Sequence, residues 1–130
     1  MSQENVEIVR RGWDAWERGD LSAVLEMMSD DLVTYRAPPF GDAHHGPEGF
    51  LEVNRDWMEG FAEWSVTPTD YLDAGDRVVV RTAQKARGKE SGVPVTAVFW
   101  FVFALRDGKV VRIDIHAEEA AALEAAGLRE

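Results

Sequence analysis

His44 and His45 are adjacent imidazoles in the stretch GDAHHGPEGF, residues 41–50, and follow an acid at Asp42. Two histidines and a carboxylate are the raw material of a metal site or an acid–base dyad. Adjacent side chains in an extended segment point to opposite sides, so both rings rarely reach one ion. Metal sites need three or four ligands, and His116 is the only other histidine. The expectation is therefore no metal, with His44 and His45 at a pocket rim. A second titratable pair, Asp114 and His116, has the i, i+2 spacing that places both on one strand face. It reads either as a general-base dyad or as a solvated ion pair. Tyr35 can donate a hydrogen bond into a cavity, yet it neighbours Arg36 on a strand, so only one of the two faces inward. Cysteine is absent, which removes thiolate nucleophiles, disulfides and Cys-ligated zinc.

These residues need a folded frame, and the composition supplies one. A chain of 130 residues that is 45% hydrophobic, with five Trp and six Phe, is long enough to bury a core as one unit. No repeat, linker or low-complexity segment divides it. The formal charge of −10 leaves no basic face for a phosphate backbone, which argues against nucleic-acid binding. No apolar run approaches the roughly 20 residues of a membrane span. The opening MSQENVEIVRR is too polar for a signal peptide. The expectation is a soluble cytoplasmic protein with no membrane partner.

Val6, Val9, Trp13 and Trp16 fall at helical spacing and predict an amphipathic helix over residues 3–18, capped by Ser2 and stopped at Gly19. Asp20 then caps a short helix with the stripe Leu21, Val24, Leu25, Met28. Leu32–Arg36 reads as a short strand, and Ala37–Gly46, with Pro38, Pro39 and Gly41, as a loop. Pro47 opens a third helix that aligns Phe50, Asn54, Trp57 and Phe61. Asn54 is its polar exception, a buried amide that needs partners from a ligand or water. From Trp64 the period becomes two. The expected strands are Trp64–Asp73, Arg77–Arg87, Val93–Leu105 and Lys109–His116, and a last helix covers Glu118–Ala126. Helices followed by antiparallel strands predict an α+β domain with helices on one sheet face.

Val93–Leu105 is apolar on both sides: Phe99, Phe101 and Phe103 on one, Val98, Trp100 and Val102 on the other. One side must meet the helices. The other, around Trp100, is covered either by a second copy, making a homodimer, or by the last helix. In the final strand Val111, Ile113 and Ile115 share one face, and Arg112, Asp114 and His116 share the other. If the apolar face joins the core, the Asp114/His116 pair points away from it.

The segments WDAWERGDLSAVLEMMSDDLVTY, HHGPEGF, KESGVPV and RDGKVVRIDIHAEEAAALEAAGL, in that order, resemble the SnoaL-like family of the nuclear transport factor 2-like superfamily. They cover nearly the whole chain, as a single domain over residues 1–130. The resemblance implies a cone-shaped α+β barrel in which a curved sheet wraps three N-terminal helices around an apolar pocket, often dimeric through the sheet. It implies a pocket that includes Trp13, Arg36, Asn54, Trp57, Arg81, Phe99, Phe101 and Ile113, with a small-molecule ligand and no cofactor.

The fold alone does not set the activity, and the relatives differ in chemistry. Ketosteroid isomerases use a carboxylate base and an oxyanion hole of a Tyr and a protonated Asp. Aligned on the shared Gly-Asp turn, that Tyr falls at Gly12 and the base at Arg36; aligned from Gly108-Lys109, the oxyanion Asp falls near Phe101. Limonene epoxide hydrolases use an Asp–Arg–Asp set. Their Arg-x-Asp motif aligns with Arg81-Thr82-Ala83, and their last acid lies near Ile115, one position from Asp114. Neither set is intact. Arg36 and Arg81 imply anionic partners, from a ligand or from Asp42 or Asp70. Two functions follow: a binding domain using an apolar pocket, or a cyclase, isomerase or hydrolase acting on a small apolar or polycyclic substrate. In the second, Asp114, His116 or Tyr35 would move the proton and Arg36 or Arg81 would steady an oxyanion.

Overall fold

The structure, a computed structural model, describes residues 2–38 and 40–128, and of Ser2 the backbone only. The expected Ser2 cap and the Pro39 position in the loop therefore lie outside what is described. The elements run α1 (Ser2–Arg18), α2 (Leu21–Glu26), β1 (Met28–Arg36), β2 (Asp42–His45), α3 (Gly46–Glu59), β3 (Phe61–Ala74), β4 (Arg77–Gly88), β5 (Pro94–Arg106), β6 (Lys109–His116) and α4 (Glu119–Ala125).

Local signals explain where the helices stop and start. Gly19 adopts φ +77 just past α1, a conformation that costs glycine little. Asp20 then caps α2, its Oδ1 accepting from Ala23 N at 3.2 Å. α2 is shorter than its apolar stripe implies. Met28 opens β1 instead, and it stays buried there, so the apolar spacing alone could not separate the two.

The six strands form one curved, unclosed sheet in the order β2-β1-β6-β5-β4-β3. Every pairing is antiparallel except β1 with β6, which is parallel. The final strand therefore slots between the first strand and β5, a non-local pairing that strand periodicity does not reveal. Four residues of the expected loop, Asp42–His45, form the edge strand β2 against β1. β3 begins at Phe61, which was expected on the third helix; that helix ends at Glu59.

The inner sheet face packs on α1 and α2. Val6, Val9, Trp13, Val24, Leu32, Val78, Val80, Phe103, Val110 and Ile113 form the core. The register shifts between Ala104 and Leu105, which pair with Arg112 and Val110. This bulge puts Val110, fully buried, in the core position expected for Val111. Not all helices share a face. α4 lies on the outer side, where Ala122 and Ala126 pack with Val79, Val102 and Trp100. Its end is tied by Leu128 N donating to Leu123 O at 2.8 Å. Among the described residues, no helix is long and apolar enough to cross a membrane.

Candidate functional site

Between α3 and the inner sheet face the core opens into a cavity of about 170 Å³. Its position follows from the helix spacing read in the sequence: Phe50, Asn54 and Trp57 project from one side of α3. They face Phe99 and Phe101 of β5, Ile115 of β6, Gln84 of β4 and Trp64 of β3. Arg36, Pro38 and Phe40 line it at the β1 end, and Phe40 is 46% exposed. Trp57 organises the aromatic wall, with ring centroids 5.8 Å from Phe40, 5.9 Å from Phe61 and 5.7 Å from Phe99. A second chamber of about 50 Å³ shares Phe50, Asn54, Trp64 and Phe101 with the first and runs beneath α1 to Gly12, Trp13 and Met27.

Polar atoms on the wall are few. Asn54 Nδ2 donates to Phe50 O at 2.9 Å, one turn back on α3. Gln84, nearly buried, accepts from Trp64 Nε1 at 3.0 Å. Arg36 donates from Nε and Nη2 to the two carboxylate oxygens of Asp42, at 2.9 and 2.5 Å. This two-point pair, with β1 and β2 holding the partners in register, lowers the Asp42 pKa to about 2 and raises that of Arg36. His44 Nδ1 is 3.3 Å from Glu52 Oε1. Its Nε2 lies 3.3 Å from Asp42 Oδ2, close enough for ion pairing but without hydrogen-bond alignment. The chain Arg36–Asp42–His44–Glu52 thus leads from the cavity wall to the surface. His45 points the other way on β2 and is exposed. No group of three or more His, Cys, Asp or Glu able to hold a metal occurs among the described residues.

The structure brings Arg36, Asn54, Trp57, Phe99 and Phe101 together at the cavity. Trp13 reaches the second chamber only, its Nε1 buried without a partner. Ile113 is fully buried in the core between α1 and the sheet and does not line the cavity. Arg81 lies on the outer face, with Nη1 on Thr69 Oγ1 at 3.0 Å and Asp70 at 4.0 Å. Asp114, His116 and Tyr35 also take the outer face. Arg112 Nε bonds both Asp114 oxygens at 3.0 Å, and its guanidinium stands 5.6 Å over the Tyr35 ring. His116 pairs across from Trp100, and both its ring nitrogens are buried without hydrogen-bond partners. Burial lowers its pKa, and Asp114 opposes that shift.

Gln84 and Trp64 belong to the cavity and were not singled out from the sequence. The available signal was parity: Val78, Val80, Thr82 and Gln84 continue one strand face from apolar to polar. A glutamine extending an apolar face marks a place where the core stops being dry.

The model of the SnoaL-like domain matches residues 9–113 of the chain. The chain belongs to the SnoaL-like family. No functionally curated protein matches it. Solved structures share the fold. A nuclear transport factor 2-like protein of unknown function from Burkholderia pseudomallei K96243 superposes with a TM-score of 0.76 at 23% identity, over 93% of this chain and 95% of the other. A protein from Jannaschia sp. CCS1, named for the SnoaL-like polyketide cyclases, gives 0.75 at 24% identity over 98% and 94%. TerC, co-crystallised with polyporic acid, gives 0.76 at 21% identity over 95% and 98%. Identities this low carry the fold alone.

A Cβ on Gly12 would stand 2.2 Å from Met27 Sδ and 2.4 Å from its Cε. Met27 fills the space into which a side chain at Gly12 would project.

Proposed function

We infer that this SnoaL-like domain binds a small, largely apolar molecule in the cavity beneath α3, without acid–base catalysis. One observation carries the reading. Among the described lining residues there are six aromatic rings and no carboxylate, histidine or tyrosine. General acid–base work needs a titratable group within hydrogen-bond reach of the reacting atom. Arg36 can polarise a carbonyl, but it cannot exchange a proton near neutral pH. Preformed apolar pockets with a few polar groups are the usual form of small-molecule sites. TerC, with the same fold, was co-crystallised with polyporic acid, which supports a ligand-binding use of this architecture.

Titration of the intrinsic tryptophan fluorescence with small aromatic compounds tests the reading, because Trp57 and Trp64 both line the cavity. Saturable quenching that Trp57→Ala abolishes is expected. Saturable conversion of an enolisable ketone, lost in Asp114→Asn or His116→Gln, would replace it with the enzymatic reading.

Action in the cytoplasm belongs to the same proposal, as does a homodimer through the outer sheet face. α4 covers Val79 and Val102 there but leaves Val98, Ala83 and Trp100 only partly buried. Light scattering should report two chains for the native protein and one for Val98→Arg; a native monomer would remove the dimer.

A further inference from the structure

The polar atoms of the cavity restrict its ligand further, and the argument rests on the binding reading above. Two amides are locked by partners that act in one direction only. The Trp64 indole can only donate, so Gln84 turns Oε1 toward it, and Gln84 Nε2 has no partner among the described residues. The Phe50 carbonyl can only accept, so Asn54 gives it Nδ2, and its Oδ1 has no partner among the described residues. Gln84 is only 7% exposed, yet its Nε2 is not sealed in the core; the residue lines the cavity, where a ligand acceptor can take the place of water on that donor. Both amides line the cavity together with Trp64.

Charge and size narrow the choice. Arg36 is the one cation among the described lining residues, and Asp42 already neutralises it through two hydrogen bonds. The chain as a whole carries −10. A ligand carboxylate would lose its water without gaining an uncompensated positive charge. The volume of about 170 Å³ is close to the ~150 Å³ of an engineered apolar cavity that takes benzene, and well below the ~300 Å³ at which drug-sized sites begin.

We propose that the cavity takes a neutral single-ring aromatic compound bearing both a carbonyl, which accepts from Gln84 Nε2, and a hydroxyl, which donates to Asn54 Oδ1. Hydroxyaryl ketones, aldehydes and esters form this class; aryl carboxylates do not.

The test is a set of fluorescence titrations with para-hydroxyacetophenone, para-hydroxybenzoate and para-xylene against the full chain, Gln84→Leu and Asn54→Leu. The ketone should bind the native protein about tenfold or more tighter than the carboxylate. Each variant should weaken the ketone about fivefold, as loss of one hydrogen bond requires, and leave para-xylene within about twofold. Gln84→Leu also removes the partner of Trp64, so if it fails to fold, Asn54→Leu decides. Carboxylate binding as tight as the ketone, or a ketone affinity unmoved by the folded variants, overturns the proposal while leaving the cavity as a binding site. Failure of all three compounds, para-xylene included, overturns the binding reading and the proposal with it.

Discussion

Asp42→Asn isolates the charge pair at the cavity wall, and its consequences can be worked from the geometry. Asp42 accepts two hydrogen bonds from Arg36, and its pKa falls from 3.8 to about 2, chiefly through them. At ~1.36 kcal/mol per pH unit the drop corresponds to about 2.4 kcal/mol. The Asp42 side chain is 39% exposed, so water screens the pair and about 1 kcal/mol is the expected contribution to stability. For a chain of this length that is roughly 3–6 °C in Tm. Because the folded pKa lies below the unfolded one, the unfolded chain binds the proton first. The stabilisation is therefore complete above about pH 4 and disappears as the pH falls toward about 2. Thermal unfolding followed by circular dichroism, from neutral pH downward, checks this for the native chain and the variant. The variant should melt lower near neutral pH, and the gap should close across that acid window, since asparagine has no proton to take up. Equal melting points at neutral pH, or a gap that ignores pH, would refute the argument. The same variant removes the hydrogen-bonded counter-charge of Arg36 and leaves it only the weaker field of Asp56, so para-hydroxybenzoate should bind the variant about tenfold tighter than it binds the native chain.

Two glycine replacements should behave oppositely. At Gly49 a Cβ would stand 2.7 Å from the backbone carbon of His44, which cannot rotate away, so Gly49→Ala should destabilise by about 1–2 kcal/mol in urea despite alanine's helix propensity. At Gly12 the obstacle is the flexible end of Met27, beside the smaller chamber, so Gly12→Ala should stay within about 1 kcal/mol of the native chain. His116 supplies a separate acid dependence. Its folded pKa is lowered by burial, so the unfolded chain protonates first, and its contribution to stability is lost as pH falls below about 6.5. His116→Phe should flatten the stability profile in that range; an unchanged profile would show that the ring is solvated.

The periodic parts of this chain were legible without a structure. Helical spacing marked the face of α3 that carries Asn54 and Trp57, and Asp20 announced the second helix, because both depend on neighbours within one or two turns. Alternation assigned Asp114 and His116 to the side of β6 opposite Ile113 and Ile115. Other features depend on residues far apart in the chain. Nothing in residues 28–36 or 109–116 alone states that the two strands lie side by side and parallel, or that a bulge passes the core position from Val111 to Val110. Likewise, α4 on the outer face and Arg81 beside Thr69 follow from which strand pairs with which. The cavity itself is a product of this assembly. Arg36, Asn54, Gln84 and Phe99 come from four elements, and only the packing of α3 across the sheet turns their separate side chains into one wall. Local pattern determined what each segment would be and which side it would bury. Tertiary pairing decided which buried sides would meet, and where they would leave a space.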